Sequence, residues 1–508
     1  MAGEPTAPIA FAGSSAISAR LGSVPAAVDD ALRERLRSTG AAVTIDAPAL
    51  AEASRDWWPL AMTWAPADQV GALASVIVRP TEVAQVSEIL RICNEARIPV
   101  TPAAGRSGVV GGSVPLFGGV LLDLCGLSGI RSVDADSLVV DVLAGTFGDL
   151  FAEQLQAEHG LTVGHWPQSV ALSTVGGWLA CRGAGQLSNR YGKIEDIVIG
   201  LDVVLADGTT LTTGGHARQS AGPDLNQLFI GSEGTLGVIT GARLRAHRMA
   251  GATHRSAWSF PTFESGADAC RRITQRGLAP AALRLYDAAE ADRSYSTGDV
   301  AVLLVFDEGD AEVVRAADAI TTQECMGGSI PGSPLDDALV ERWLGHRNDV
   351  SSLEALISRG YVVDTMELTV AWSELDALYV AVRDAIAAVP GVMAASAHLS
   401  HSYTDGACLY FTFAGKPLEP TRAATEALYL ACWEEGTRTA LRLGGSLSHH
   451  HGVGLNRARF MHDALGAGAM SALDAIKGAL DPHGILNPGK LGLRTPFGSS
   501  PFPMEPGS

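Results

Sequence analysis

"PAAGRSGVVGG", Pro102 to Gly112, and "GSEGTLGVIT", Gly231 to Thr240, are the two stretches whose reading decides the fold. Glycine-rich turns can aim successive backbone N–H groups at one point and so form an anion nest. Either loop alone is equally readable as a pair of ordinary tight turns. A dinucleotide-binding G-x-G-x-x-G is absent, and no Gly-Lys-Ser/Thr follows a glycine run, so neither a Rossmann fingerprint nor a P-loop is present.

Around the first loop the chain alternates. "ASVIVRP" (74–80) is a β-branched strand, and "TEVAQVSEILRICNEARI" has helical spacing with Thr81 as its N-cap. "PVTPAAG" returns to extended chain, and "GVLLDL" (119–124) is a strand. "SLVVDVLAGT" is another strand, followed by the helix "TFGDLFAEQLQAEHG" with Thr146 as cap. "DIVIGLDVVLADGTTLTTG" reads as two strands about an Asp207-Gly208 turn. From Ser256 onward, strands and helices such as "AALRLYD", "YVVDTMELTVAW", "VMAASAHLSHSY" and "ACLYFTFAG" predict an antiparallel sheet. Two helices are expected after "SLSHHHGVG", and the tail "RTPFGSSPFPMEPGS" is expected to be disordered.

The expected organisation is a helical lead-in over 1–66, an α/β domain over 67–248, an α+β domain with C-terminal helices over 249–494, and a tail over 495–508. At 508 residues the chain is too long for one ordinary core. A net charge of −18 argues against nucleic acid and against a polybasic membrane anchor. Seven widely spaced cysteines without a CxxC read as reduced, packed thiols. The N-terminus lacks the charged start of a signal peptide, and no apolar run is long enough for a spanning helix. Trp57, Trp58 and Trp64, in "DWWPLAMTWAPADQ", read as packing residues.

"SLSHHHGVG", Ser446 to Gly454, holds the histidines His449, His450 and His451. A tag would be terminal, and a zinc site would want histidines at helical or finger spacing. In extended chain His449 and His451 would face one side and His450 the other. A solvated loop and a reaction centre both remain open on these residues alone. No metal is expected.

Taken together and in order, the loops resemble the FAD-binding domain of the vanillyl-alcohol oxidase / p-cresol methylhydroxylase superfamily, over roughly residues 70 to 490. The stretch Gly164–Gly208, with "GHWPQS", "STVGGW" and "YGKIEDIV", is similar to the alkyldihydroxyacetonephosphate synthase family, as is "GGSLSHHHGVG". The resemblance implies an α+β fold, a two-part FAD-binding domain followed by an antiparallel-sheet cap. It implies noncovalent FAD, bordered by Pro102, Ala103, Ala104, Gly105, Arg106, Ser107 and Gly108. It adds Gln168, Ser169, Val170, Ala171, Leu172, Ser173 and Thr174, and then Cys181, Arg182, Gly183 and Ala184. Glu233, Gly234, Thr235, Leu236, Gly237, Val238 and Ile239 complete the set. Ala104 and Arg106 stand where the family often has glycine, and Trp166 and Gln168 where it usually has acidic residues.

By the same resemblance Tyr410 and His449–His451 carry proton transfers, while Arg284, Arg347 and His165 contact the substrate, the arginines at its phosphate. The implied reaction exchanges the acyl group of acyl-dihydroxyacetonephosphate for a fatty alcohol, with no net electron transfer. The rival reading is a FAD-dependent oxidoreductase of a D-2-hydroxy acid or other alcohol. "LDPHGILNPGKL" is shared with such enzymes, but their metal-binding "HGDGNxH" stretch is missing. The expected partner is a small-molecule or lipid substrate with an anionic head, met by a cytoplasmic enzyme making at most weak peripheral membrane contact. Dimers are common among such relatives.

Overall fold

The computed structural model describes residues 3–22 and 24–504. Three main sheets organise it. The first is four-stranded, in the order Ala42–Thr44, Val76–Arg79, Val120–Asp123, Val100–Ala103. Its last three strands are parallel, and the helix Val83–Ala96 makes one crossover between them. Val76, Val78, Val120 and Leu122 are fully buried, as expected of strands in a covered parallel sheet.

The second sheet is antiparallel and five-stranded: Thr210–Thr212, Val198–Val204, Val238–Arg245, Val139–Leu143, Ile130–Asp134. The third is antiparallel and seven-stranded: Ser333–Leu335, Ala252–Phe260, Ala301–Gly309, Ala282–Tyr286, Val392–Ser402, Gly406–Gly415, Val362–Ala371. Helices Phe263–Gln275, Leu375–Ala387 and Arg422–Arg442 pack on it and share its core. No helix of the described residues is long and apolar enough to cross a membrane.

Three local expectations change. Glu82, not Thr81, is the cap of Val83–Ala96; Gln85 Oε1 reaches back to accept the Thr81 and Glu82 N–H groups. Thr146 is likewise not a cap. Its hydroxyl accepts the Gly129 N–H and donates to Leu143 O, and the helix Gly148–His159 starts after Phe147. The two C-terminal helices are present as expected, meeting at the non-helical Gly466 (φ 78°) within Met461–Leu480. The tail is packed as far as it is described: Phe502 is buried edge-on against Trp58, at 5.0 Å between ring centres.

Trp58 and Trp64 do pack. Their indole N–H groups donate to Tyr429 and Glu426 on Arg422–Arg442, clamping the lead-in segment onto the third sheet's helical layer. All seven cysteines are free thiols, six of them buried.

Candidate active site

A cavity of about 540 Å³ opens where the three sheets meet. The loop after Val100–Ala103, the segment from His165 to Ala184 and the turn at Glu233 form one side. Arg284, His398, His401 and Tyr410 project from strands of the third sheet, and His450 and His451 come from the loop after Arg422–Arg442. Val350, Leu353, Leu356 and Pro59 add an aliphatic wall.

The two glycine loops meet around this space. A Cβ on Gly105 would stand 2.3 Å from the Leu172 carbonyl oxygen, so only glycine allows that approach. Arg106 (φ 54°) and Glu233 (φ 52°) take left-handed conformations, which turn the chain sharply at both loops. The Asn487 amide ties them together, donating to Gly112 O at 3.0 Å and Glu233 O at 2.7 Å. Arg106 Nη1 and Ser113 Oγ are buried without partners. A guanidinium and a hydroxyl left free beside a glycine cradle fit the diphosphate of a dinucleotide.

Most residues expected to border FAD line the cavity, including Pro102 through Gly108, Gln168, Ser169, Leu172 through Thr174, Cys181, Gly183, Ala184, Glu233, Gly234, and Gly237 through Ile239. Val170, Ala171, Arg182, Thr235 and Leu236 do not reach it. Val170 and Leu236 are core residues of the second sheet's layer, and Arg182 turns away to Gln227 and Glu195.

The histidine loop wraps around one buried carboxylate. Glu367 lies opposite Tyr410 across the strand pair. Its Oε1 accepts the backbone N–H groups of His449 (3.2 Å), His450 (3.1 Å) and His451 (2.9 Å), and the Ser448 hydroxyl (2.6 Å). This curl replaces the expected extended chain. His450 and His451 line the cavity, while His449 turns to Tyr403 OH, 2.6 Å from its Nε2. Glu233 anchors the loop's far end by accepting the Val453 (2.6 Å) and Gly454 (2.8 Å) N–H groups, so the second glycine turn and the histidines form one unit.

Tyr410 stacks on His398, at 5.0 Å and 23°, and lies 6.0 Å from the His450 ring at 22°. Burial pushes its phenol far above the ordinary tyrosine range, so it stays protonated and can donate. Burial holds His449 and His450 well below the ordinary histidine range, with His401 and Lys193 adding to this at His449, and His451 and His449 at His450, so both are neutral and can accept a proton. His165 is pushed down to about 3, chiefly by burial. Neither of its ring nitrogens has a partner, and it leans on Trp178 at 4.6 Å.

His401, Cys408, His449 and His450 have donor atoms within 4.8 Å of one another, a cluster that the triple histidine alone did not reveal. Zinc takes such donors, but His449 Nδ1 and His450 Nδ1 face each other at 2.7 Å in a hydrogen bond that occupies a lone pair a metal would need.

Arg284 lines the cavity, but Arg347 does not. The Arg347 guanidinium lies over the Trp166 and Trp343 rings at 5.6 and 5.7 Å, and its carbonyl accepts from Gln186. Arg347 caps the helix Ala338–His346, which holds it outside the cavity lining.

Sequence reasoning missed His398, His401, Glu367 and Asp56. His398 and His401 would lie on opposite faces of a regular strand. A register shift between Leu399 and His401 brings both to the cavity. Glu367 did leave a signal, as a lone acid within the apolar run "TMELTV". Asp56 is buried on the cavity wall with Oδ2 unpartnered, and burial raises it to about 7.

Comparison with known proteins agrees with this geometry. The family "FAD binding domain" matches residues 74–214, and "FAD linked oxidases, C-terminal domain" matches 252–491. An alkyldihydroxyacetonephosphate synthase of Dictyostelium discoideum is 29% identical over 466 residues, covering 83% of this chain and 74% of that protein. The uncharacterized FAD-linked oxidoreductase YgcU of Escherichia coli O157:H7 is also 29% identical, over 441 residues, 82% of this chain and 89% of its own. A solved alkyldihydroxyacetonephosphate synthase structure shares the fold with a TM-score of 0.75 at 23% identity, covering 96% of this chain and 88% of that one. FAD is therefore the cofactor, and when bound it supplies a ring system that can take up and return an electron pair. The chain thus carries a FAD binding domain and an FAD-linked oxidase C-terminal domain, resembles the alkyldihydroxyacetonephosphate synthases, and shares its fold with p-cresol methylhydroxylase.

Proposed function

We propose that the chain exchanges the acyl group of acyl-dihydroxyacetonephosphate for a fatty alcohol. The observation that carries this reading is that one cavity joins three kinds of group. Arg284 offers a cation for an anionic head, Tyr410 and the neutral His450 offer a proton donor and acceptor, and Val350, Leu353 and Leu356 offer an aliphatic wall for a chain.

In this reading a neutral imidazole of the histidine loop takes the proton next to the substrate ketone. Tyr410, kept protonated by its buried setting, donates its proton to the departing carboxylate, and the phenolate so formed takes the proton of the entering alcohol. Glu367 and Glu233 hold the loop so that these groups need not reorganise. Pro102 to Gly108, His165, Gln168 and the turn at Glu233 hold the cofactor and its surroundings.

A second reading, net oxidation of a D-2-hydroxy acid or other alcohol, is favoured by the equal identity to YgcU. The deciding experiment incubates the purified yellow protein with acyl-dihydroxyacetonephosphate and an isotope-labelled long-chain alcohol, without an electron acceptor. Labelled ether product supports the transferase. No product, with the flavin instead bleached anaerobically by a hydroxy acid, supports the oxidoreductase.

A further inference from the structure

The strand Ala282–Tyr286 runs antiparallel to Val392–Ser402, pairing Tyr286 with His398. Between them runs a row of three side chains. Glu290 Oε1 lies 3.0 Å from His398 Nδ1, and His398 Nε2 lies 2.6 Å from Arg284 Nη2. A guanidinium can only donate, so Nε2 must present its lone pair. The ring proton then sits on Nδ1 and is donated to Glu290. The neighbours thus fix the tautomer of His398, and with it the direction of the arginine.

The row is built rigidly. Glu290 lies in the first turn of helix Ala288–Tyr295, whose cap is Asp287. Asp287 Oδ1 accepts the Glu290 N–H at 2.8 Å, and its Oδ2 accepts the Ala397 N–H at 2.7 Å, next to His398 itself. Tyr410 stacks on the other side of the imidazole. Glu290 and His398 are buried, and Arg284 and His398 line the cavity. Arg284 Nε is buried and has no partner.

We propose that Glu290 and His398 are positioning residues that hold Arg284 as the receptor for a phosphate monoester head on the substrate. This rests on the transferase reading for its ligand class, and on the geometry alone for the anion subsite. A guanidinium fixed at one Nη and free at Nε presents the planar fork that phosphate oxygens accept in pairs.

The test titrates the FAD-loaded protein with inorganic phosphate and follows the visible flavin spectrum. Saturable binding is expected. Arg284→Gln and His398→Asn should each weaken it about tenfold or more, since a charge-assisted contact or its support is lost. His398→Gln, whose amide oxygen can reach the Nε2 position and accept from Arg284, should bind several-fold tighter than His398→Asn, a difference that packing alone would not produce. The KM for the phosphate-bearing substrate should rise in step with the phosphate Kd, with kcat less changed. Glu290→Gln, which keeps an acceptor for His398 but not its charge, serves if the His398 variants do not fold, and should also weaken phosphate. No saturable binding to the unaltered protein, or unchanged binding in flavin-loaded His398→Asn or Glu290→Gln, overturns the proposal. Ether product formed without phosphate binding would sink this subsite and leave the transferase standing. Phosphate binding with these variant effects but no ether product would do the reverse.

Discussion

Glu367 and Arg457 form an ion pair with no solvent exposure on either side chain, Arg457 Nη1 lying 3.0 Å from Glu367 Oε1. The same carboxylate gathers the N–H groups of three consecutive histidines. Burial alone would raise it, but the Arg457 guanidinium and the His451 ring beside it hold Glu367 far below the ordinary carboxylate range. The histidine loop is therefore folded around a buried charge, with Arg457 as its counter-ion.

Glu367→Gln should be strongly destabilising, because it strands a buried guanidinium. A loss of about 3–5 kcal/mol is typical of breaking one side of a buried pair. Replacing both partners, as Glu367→Gln with Arg457→Met, should recover part of it. Urea unfolding of the two variants checks this. Equal stability of the single variant and the original would mean that the pair does not organise the loop.

Tyr410→Phe should leave FAD content and stability nearly unchanged and reduce turnover by about 10²–10⁴, the usual contribution of a positioned acid. The stacking on His398 survives, since the ring is kept. Unaltered turnover in the labelled-alcohol assay would remove Tyr410 from the chemistry.

The strands and most helices were legible because apolar residues recur with the periods of two and 3.6 that burial imposes. The strand Gly406–Gly415 and the helix Val83–Ala96 are examples. The threonines Thr81 and Thr146 look like caps in sequence but are not, because a threonine near a helix start can equally bond to a distant turn, as Thr146 does with Gly129. The histidine loop stood out in the sequence, but its organiser did not: Glu367 is 82 residues from His449, on a strand whose pattern says only that it is buried. His398 and Glu290 are 108 residues apart, and only the pairing of two strands brings them together.

Acid should unfold the protein early. Burial is the main cause holding His165 and His401 down at about 3, and His449 and His450 well below the ordinary value. Above about pH 6.5 these rings are neutral in both the folded and unfolded states, so they take nothing from stability. Below it the unfolded chain binds protons that the folded one refuses. Each histidine then removes about 1.4 kcal/mol per pH unit, down to its folded value. Glu367, whose folded value is depressed, adds its own loss only below the unfolded carboxylate range, near pH 4.5. Asp56, raised to about 7, and Asp364, raised to about 6, work the other way as pH falls, but four histidines outnumber two carboxyls, so unfolding midpoints should still drop between pH 6.5 and 5. His401→Asn should flatten that slope by about one proton's worth. A slope unchanged in His401→Asn would show that this imidazole does not resist protonation.

Gly105→Ala should abolish FAD retention. The added methyl would meet the Leu172 carbonyl at 2.3 Å, and both partners are backbone, so one of the loops at the cradle must move. Gly468→Ala is the matched control, because its Cβ would meet nothing within 4 Å, its φ is ordinary and it lies on helix Met461–Leu480 away from the cavity. The ratio of visible flavin absorbance to protein after purification separates the two. It should be near zero for Gly105→Ala and close to the original for Gly468→Ala. Full flavin content in Gly105→Ala would mean that the close approach of the two loops is not what builds the cradle, and the diphosphate would then have to be held elsewhere along the cavity.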